Sequence, residues 1–329
     1  MLFRTLILSI LLFSSAPCFA ATYSVTEDVA GELKYYTIGD EDDLYALSRR
    51  FDVGIVEIIS ANQGVDPWLP EKGSFLTVPA LYILPKAEHK GIVVNLPELR
   101  LYYYPDKEKV MTFPIGIGRE GWQTPLGPNK IVMKRKNPSW TPPASIRAEN
   151  PDLPDVVPAG PDNPMGAYAL SLAEDGIAIH GTNKPYGIGT RSSHGCIRMY
   201  PEDIEALFNA VQVGTKVTIV DMPYKLGWWD GTLFLEVSPT QEEIDLIADK
   251  YQVPEPTMKM EIYRDVEKAV GKAEGIKWHE VENAMIKREG IPIAIFSKKN
   301  KNPDQKPTTE EKPIEDNSVD DESQGSNPE

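Results

Sequence analysis

The residues best suited to chemistry lie around a cysteine near the middle of the chain. His180-Gly181-Thr182 is followed, after a short gap, by the run Ser192-Ser193-His194-Gly195-Cys196-Ile197-Arg198-Met199. A free thiol has a pKa of about 8.5, so only a small fraction is thiolate at neutral pH unless a base or backbone amides activate it. His180 and His194 are both candidates for that base, and their spacing from Cys196 does not choose between them.

The glycine before the cysteine adds a second element of acyl-transfer chemistry. Gly195 has no side chain, so the backbone N–H groups of Gly195 and Cys196 can point into a small cavity and hold an oxyanion. Nucleophile, base and oxyanion hole together indicate a cysteine acyltransferase or hydrolase.

Three other interpretations of the cysteine compete. Cys196, His180 and His194 have the donor types of a three-ligand zinc site, but no Asp or Glu lies between positions 180 and 199. A redox role normally needs a second thiol nearby, and none is present. A buried, purely structural cysteine is the third alternative. We therefore expect no metal and no organic cofactor.

The start of the chain predicts export. Met1 to Arg4 is a short basic segment, residues 5–13 are almost wholly apolar, and small residues occupy Cys18 and Ala20. This pattern is a secretory signal peptide spanning residues 1–20, and its apolar run is too short for a permanent membrane anchor. A lipoprotein signal using Cys18 is the alternative, and Pro17 argues against it. Cleavage leaves Cys196 as a lone thiol in a compartment that tends to oxidise thiols.

The charge distribution excludes one class of partner and predicts one disordered segment. The net charge is −15 and the pI is about 4.9, which disfavours nucleic acid as a ligand. In the acidic tail, residues 298–329, Ile314 and Val319 are the only aliphatic residues. Such a segment buries too little apolar surface to fold, so we predict disorder.

The first folded region, residues 32–85, has the pattern of a small βααβ domain. A strand is predicted at 35–38 and a closing strand at 75–79. Between them, apolar residues at helical spacing predict helices at 43–51 and 53–61.

The second region, residues 90–222, is rich in predicted strands and contains the cysteine motif. A hairpin is predicted around Pro97-Glu98, and a strand at 176–179 leads directly into His180. After Cys196, Pro201 begins a short helix. The proline-rich segment 137–165 is predicted to be a long ordered loop that covers the domain. The fold class is therefore mainly β, with one short helix after the cysteine.

The third region, residues 223–297, is predicted to be α+β. Its elements are a strand at 233–237 and helices at 240–250 and 265–270, and it contains no candidate for chemistry.

The motifs of residues 90–222 resemble the signature of L,D-transpeptidases with a YkuD-type catalytic domain. Sixteen positions separate His180 from Cys196, a spacing within the family's range. Gly116-x-Gly118 and Thr124-Pro125-x-Gly127 are similar to the family's glycine and Thr-Pro-x-Gly turns. Two further stretches resemble the proline-rich insert of the Gram-negative periplasmic subgroup: residues 140–147 and 157–164.

The resemblance implies a YkuD-like β-sandwich, a periplasmic location and a mechanism. Cys196 would attack the diaminopimelate–D-alanine bond of a peptidoglycan tetrapeptide stem and form a thioester. His180 would be the proton donor and acceptor, with its ring oriented by a backbone carbonyl such as that of Gly181. The resemblance, rather than the spacing, favours His180 over His194. The remaining residues would shape the pocket and the oxyanion hole: Gly181, Ser193, His194, Gly195 and Arg198, the last beside a stem carboxylate or in a structural salt bridge.

The implied partners are peptidoglycan stem peptides and glycan strands. The acceptor amine would be another stem's diaminopimelate, giving a 3→3 cross-link, or a lysine of an outer-membrane lipoprotein or barrel protein. Water as acceptor would make the protein a carboxypeptidase.

Residues 32–85 resemble a LysM domain, a module that binds N-acetylglucosamine-containing glycans. The matching residues are Tyr36-Thr37-Ile38, Asp42-x-Leu44, Asn62 and Gly73-x-x-Leu76-x-Val78-Pro79, whereas Glu41 stands where the family usually has glycine. The alternative function is therefore a non-catalytic LysM-type peptidoglycan-binding adaptor.

Overall fold

The computed structural model describes residues 22–174, 176–256, 259–271 and 273–298. The predicted signal peptide at 1–20 and the tail after residue 298 lie outside the described residues. Across these ranges, every helix is too short or too polar to cross a membrane.

The N-terminal region combines short strands with two helices. Its elements are β1 (Thr22–Ser24), β2 (Val29–Gly31), β3 (Lys34–Thr37), α1 (Leu44–Arg50), α2 (Ile55–Ala61), β4 (Phe75–Val78) and β5 (Leu81–Ile83). β3 pairs antiparallel with β4, so residues 32–85 contain a strand, helix, helix, strand unit. Asp43 begins α1 because its carboxylate accepts a hydrogen bond from the N–H of Ala46 at 2.7 Å.

The central region contributes most strands of one large sheet. Its elements are β6 (Gly91–Asn95), β7 (Arg100–Tyr104), β8 (Lys109–Pro114), β9 (Ile117–Gly118), β10 (Gly127–Lys136), α3 (Ala144–Glu149), β11 (Tyr168–Leu172), β12 (Ala178–His180), a 3₁₀ turn (Pro185–Gly187), β13 (Arg191–Ser193), β14 (Ile197–Arg198), α4 (Pro201–Ala210) and β15 (Lys216–Val220). The nine-stranded sheet has the order β1-β8-β7-β6-β15-β10-β11-β12-β14. β6 is buried and apolar at Ile92, Val93 and Val94, as a strand inside a sheet requires.

The long strand β10 joins the two halves of this sheet. Residues 127–130 pair with β15, whereas residues 131–136 pair with β11, and the register shifts between Ile131 and Met133. Such an irregularity bends a strand and increases its twist. The sequence analysis predicted a β-sandwich. The structure instead has one continuous sheet, and the two halves of this sheet share β10.

The proline-rich segment 137–165 differs from the predicted loop in one respect. It contains the six-residue helix α3, which Pro143 precedes and Asn150-Pro151 ends. Residues 144–149 lack proline, and proline is tolerated at a helix start but not in its interior, which explains both bounds.

The C-terminal region forms a three-stranded sheet with three helices. Its elements are β16 (Tyr224–Trp229), β17 (Thr232–Val237), α5 (Gln241–Lys250), α6 (Met260–Val270), α7 (Trp278–Lys287) and β18 (Ile293–Ser297), with the strand order β16-β17-β18. The sequence pattern did not predict β16, α7 or β18. Leu235, Ile262 and Val281 contribute to a separate apolar core between this sheet and α6 and α7.

The three regions are joined by buried contacts. Leu47 and Ile58 of the N-terminal helices belong to the same apolar core as Ile92 and Leu101 of the large sheet. At the junction with the C-terminal region, Lys225 of β16 lies 2.8 Å from the carboxylate of Glu236 and also pairs with Glu98, which follows β6. All three of these charged side chains are buried, so buried polar as well as apolar contacts join the regions.

Candidate active site

Strand pairing brings the two predicted reacting residues to one face of the sheet. β12 and β14 are parallel neighbours, with Ile179 opposite Ile197 and His180 opposite Arg198. Cys196 directly precedes β14 and packs against Ala178. Ala178 lies two positions before His180 on β12 and therefore shares its face of the strand. Residues sixteen positions apart in sequence therefore lie on neighbouring segments at one edge of the sheet.

Cys196 is a free, partly buried thiol in an apolar pocket. It packs, together with Trp140, against Met165, Ala169 and Ala178. Burial raises the pKa of the Cys196 thiol above its ordinary value, although the backbone N–H of Ala178 and the charge of Arg198 oppose this effect. The Sγ atom lies 3.4 Å from the carbonyl oxygen of Gly176, to which the thiol donates.

The ring of His180 is buried and oriented by the residue that follows it. Its Nδ1–H donates to the carbonyl oxygen of Gly181 at 2.6 Å, and a carbonyl only accepts, so Nδ1 carries the proton. Burial, reinforced by the positive charge of Arg198, lowers the pKa of His180 to about 4. At neutral pH the imidazole is therefore uncharged and Nε2 is the basic nitrogen.

Two hydroxyl groups hold the loop before β14 in place. The Ser193 hydroxyl donates to the Cys196 carbonyl at 2.5 Å, and the Thr124 hydroxyl donates to the Gly195 carbonyl at 3.0 Å. Thr124 is itself fixed because its oxygen accepts a hydrogen bond from Gly118 N–H at 3.1 Å. Since the N–H of a trans peptide points opposite to its C=O, Thr124 sets the direction of the Cys196 N–H.

The N–H groups of Gly195 and Cys196 make no hydrogen bond to another protein group within the described ranges. Gly195 has a φ of +95°, and a Cβ there would lie 3.2 Å from the side chain of Ile177. The left-handed backbone conformation at this position favours glycine. Both N–H groups are therefore available to donate hydrogen bonds to a developing oxyanion.

His194 takes part in a different cluster. Its Nε2 lies 3.0 Å from Glu149 and 2.9 Å from the guanidinium of Arg119, and its ring centroid is 5.0 Å from that of Trp122. Arg119 in turn donates to both oxygens of Glu149 at 2.7 Å. With Nε2 engaged in this way, His194 anchors α3 over the loop, and His180 is the better-placed base of the two.

Arg198 and Gly181 complete the set of residues predicted from sequence. Arg198 donates to the carbonyl of Ser192 at 3.3 Å, and its buried Nε has no hydrogen-bond partner among the described residues. Gly181 packs against Gly166, where a Cβ would lie only 3.0 Å from the Gly181 backbone. Glycines at both positions let the end of the proline-rich segment approach the turn after His180.

Sequence reasoning missed several residues of this site. Thr124 belongs to the Thr-Pro-x-Gly turn, to which the sequence analysis assigned no catalytic role. No local sequence pattern marks Arg119, Glu149 or Met165 as site residues. Over the ranges that the structure covers, no group of three or more His, Cys, Asp or Glu side chains is placed to hold a metal ion. Cys196, His180 and His194 therefore do not form the site that the zinc interpretation requires.

Comparison with known proteins identifies close relatives. The pattern of the YkuD family, the L,D-transpeptidase catalytic domain, matches residues 89–219. The chain is 40% identical over 282 residues to the probable L,D-transpeptidase YcfS of Escherichia coli K12, covering 81% of this chain and 85% of that protein. It is 38% identical over 288 residues to the probable L,D-transpeptidase YbiS of the same strain, covering 84% and 92%. The probable L,D-transpeptidase ErfK/SrfK of that strain is 38% identical over 301 residues, covering 87% of this chain and 94% of its own.

Proposed function

The chain belongs to the L,D-transpeptidase family, and from that premise we propose that Cys196 and His180 carry out its acyl transfer on peptidoglycan. The observation that supports this assignment is the pairing of β12 with β14. Cys196, directly before β14, packs against Ala178, two positions before His180. The identity to probable L,D-transpeptidases over most of the chain favours this chemistry over the alternative of a non-catalytic peptidoglycan-binding adaptor.

In the first half-reaction, the thiol of Cys196 attacks the diaminopimelate carbonyl that is joined to D-alanine. Thiol and imidazole are both neutral at rest, so His180 Nε2 takes the proton as the C–S bond forms. The N–H groups of Gly195 and Cys196 hold the oxyanion of the tetrahedral intermediate. The intermediate collapses when the C–N bond breaks, and the imidazolium returns its proton to the leaving D-alanine amine.

In the second half-reaction, an amine replaces D-alanine. It attacks the thioester carbonyl, and His180 removes a proton from its nitrogen. The C–S bond then breaks, and the imidazolium returns that proton to the sulfur, which regenerates the thiol and the neutral imidazole. The amine belongs to a second stem's diaminopimelate, giving a 3→3 cross-link, or to a lysine of an outer-membrane lipoprotein or barrel protein. The unpaired Nε of Arg198 is suited to a stem carboxylate near the thiol.

The reaction requires a location outside the cytoplasm, which the leader-like sequence of residues 1–20 supports. We place the protein in the periplasm on that basis. The βααβ unit at 32–85 supports a LysM-like role in holding glycan, and residues 90–222 are proposed as the catalytic domain.

The test is turnover of a disaccharide-tetrapeptide, measured as D-alanine release and as formation of dimeric muropeptides. His180→Gln should lower kcat by about 10²–10⁴-fold, the usual contribution of a general base, and Cys196→Ala should give no turnover. His279→Gln is the matched control, because His279 is exposed and lies outside the site. Equal rates for His180→Gln and the wild type would contradict the assignment.

A further inference from the structure

One row of paired residues crosses the sheet at His180 and contains two arginines. Arg135 on β10 pairs with Ala169 on β11, which pairs in turn with His180 on β12. On the other side, His180 pairs with Arg198 on β14. Directly paired residues project from the same face of a sheet, so an arginine lies on each side of His180. The residue between Arg135 and His180 in this row is an alanine, whose side chain is only a methyl group.

The neighbours of Arg135 in sequence show which face of β10 it occupies. Lys134 projects toward the far side of the sheet, where its Nζ donates to two carbonyl oxygens at the end of α4, at 2.5 and 2.7 Å. Side chains alternate along a strand, so Lys136 shares the face of Lys134, and Arg135 occupies the other face. That face carries Ala169, against which Cys196 packs. Arg135 therefore projects from the face of the catalytic site.

Both arginines of the row lack a partner of opposite charge. The Nε atoms of Arg135 and Arg198 are buried and have no hydrogen-bond partner within the described ranges. Neither guanidinium forms an ion pair with a carboxylate of those ranges. Burial lowers the pKa of His180, and the positive charges of Arg198 and then of Arg135 lower it further. Cations held close to a buried imidazole without an anion are unfavourable, and a carboxylate on a ligand would relieve this cost.

Other arginines near the catalytic loop do have partners. Arg119 lies 2.7 Å from a carboxylate oxygen of Glu149, and Arg191 lies 3.0 Å from one of Asp245. The lack of an anion is thus a property of the row rather than of arginines around the site in general. A guanidinium left open in this way is suited to bind a carboxylate through two parallel hydrogen bonds.

The position of each arginine in the row determines how far from the reacting bond it can bind. Adjacent strands lie about 4.8 Å apart, so the backbone of Arg135, two strands away, is roughly 10 Å from that of His180. Arg198 is on the strand next to His180 and is suited to a carboxylate near the thiol, as proposed above. Arg135 is suited to one that is farther along the donor.

We propose that Arg135 binds a carboxylate of the donor stem that is remote from the scissile bond and makes the enzyme selective for acidic stems. This inference deepens the proposed function and rests on it. The stem offers such a carboxylate at two places: the side chain of diaminopimelate and the α-carboxylate of the γ-linked D-glutamate before it. An amide there carries no charge and brings N–H donors against the donors of the guanidinium, so amidated stems should be poorer substrates.

The test compares D-alanine release from three soluble tetrapeptides by the full, reduced chain and by Arg135→Gln. One tetrapeptide carries both carboxylates, one has the diaminopimelate side-chain carboxylate as its amide, and one has the D-glutamate α-carboxylate as its amide. The unsubstituted protein should favour the acidic stem over one of the amides by about tenfold or more in kcat/KM, the range of a charge-assisted hydrogen bond. Arg135→Gln should lose a similar factor on the acidic stem.

The same substitution should cost little more on the amide that has already lost the relevant carboxylate, because both changes remove one contact. The amide that shows this non-additivity identifies which carboxylate Arg135 binds. Lys136→Gln is the matched control, because it removes the adjacent cation of β10 from the opposite face, and it should leave the preference for the acidic stem unchanged. Melting temperatures of the variants exclude unfolding as the cause.

Equal kcat/KM values of the unsubstituted protein on all three stems would overturn the proposal without any variant. An equal loss with Arg135→Gln on every stem would overturn it as well, because an effect through the fold or through the pKa of His180 does not depend on the carboxylates of the donor. The absence of D-alanine release from every stem would count against the proposed function, and with it this inference. Normal release without discrimination would count against the role of Arg135 alone.

Discussion

At the residue scale, the pair of Cys196 and His180 is uncharged at neutral pH. Burial disfavours the thiolate and the imidazolium alike, so the pKa of Cys196 rises and that of His180 falls to about 4. A thiolate–imidazolium pair is therefore not the resting state. In the proposed mechanism, the proton moves only as the thiol attacks.

The pH dependence of acylation follows from this state. His180 must be neutral to accept the proton, so the rate should hold as pH falls through 6.5 and decline only near pH 4. The measurement is single-turnover D-alanine release between pH 3.5 and 8. A decline centred near 6.5, the ordinary histidine value, would contradict the buried neutral imidazole.

Thr124 provides a second test at this scale. Its hydroxyl fixes the Gly195 carbonyl and thereby the direction of the Cys196 N–H. Thr124→Val should lower kcat by about tenfold, equivalent to about 1.4 kcal/mol, with little change in KM.

Thr124→Ser is the matched control, because it keeps the hydroxyl and should retain most of the activity. If the valine variant raised KM while kcat stayed unchanged, Thr124 would act in substrate binding rather than in positioning the loop.

From the sequence, Cys196 is the candidate nucleophile, and the family resemblance rather than the spacing favours His180 as its base. The sequence left His194 open as the base, since the contacts that occupy His194 come from Arg119 and Glu149, distant in the chain. The role of Thr124 was likewise hidden, because it depends on two loops meeting in the folded protein.

At the scale of elements, one fully buried side chain, Asn163, makes several of the hydrogen bonds that hold the proline-rich segment 137–165. The Asn163 amide donates to the carbonyls of Pro138 and Pro158 at 2.9 Å and to that of Val157 at 3.3 Å, and its oxygen accepts from Met165 N–H at 2.8 Å. This segment supplies Trp140 and Met165 to the pocket around Cys196.

Asn163→Ala should destabilise the protein by about 2–4 kcal/mol, because several buried carbonyls lose their partner. Activity should fall as well, since the pocket loses its ordered wall. Urea unfolding and D-alanine release measure the two effects.

Asn183→Ala is the control, because Asn183 makes one exposed bond to the same segment; its cost should stay under about 1 kcal/mol. Equal stabilities of the two variants would show that Asn163 is not the anchor.

Elements with strong local signals were predictable, whereas others depended on tertiary contacts. The helix beginning at Pro201 and the strand before His180 agree with their patterns. β16 and β18 were missed because their stability comes from pairing with β17, and local sequence does not report such pairing. For the same reason, the sequence did not predict that β10 pairs with strands of both halves of the sheet.

At the scale of the whole molecule, buried charges join the regions. Arg100 of β7 is fully buried and donates to both carboxylate oxygens of Glu57 on α2, at 3.1 and 2.8 Å, while its guanidinium lies 4.4 Å from the Tyr82 ring centroid. Deleting residues 32–85 would therefore expose part of the apolar core and leave the Arg100 guanidinium without its carboxylate partner. Point substitutions are the cleaner test of that region.

Arg100→Ala should lower the free energy of unfolding by about 3–5 kcal/mol, because Glu57 keeps a partly buried charge without its partner. Chemical denaturation measures this loss. Lys72→Ala, which removes an exposed pair with Asp40, should cost less than about 1 kcal/mol. A small cost for Arg100→Ala would mean that the junction is not held by this pair.

The central claim, acyl transfer through Cys196, is tested most directly by intact-protein mass spectrometry. The reduced protein is incubated with disaccharide-tetrapeptide beside Cys196→Ala. The mechanism predicts a transient adduct on the unsubstituted protein, equal in mass to the donor minus D-alanine, and none on the variant. An unmodified thiol with no D-alanine released, or the same adduct on Cys196→Ala, would contradict it.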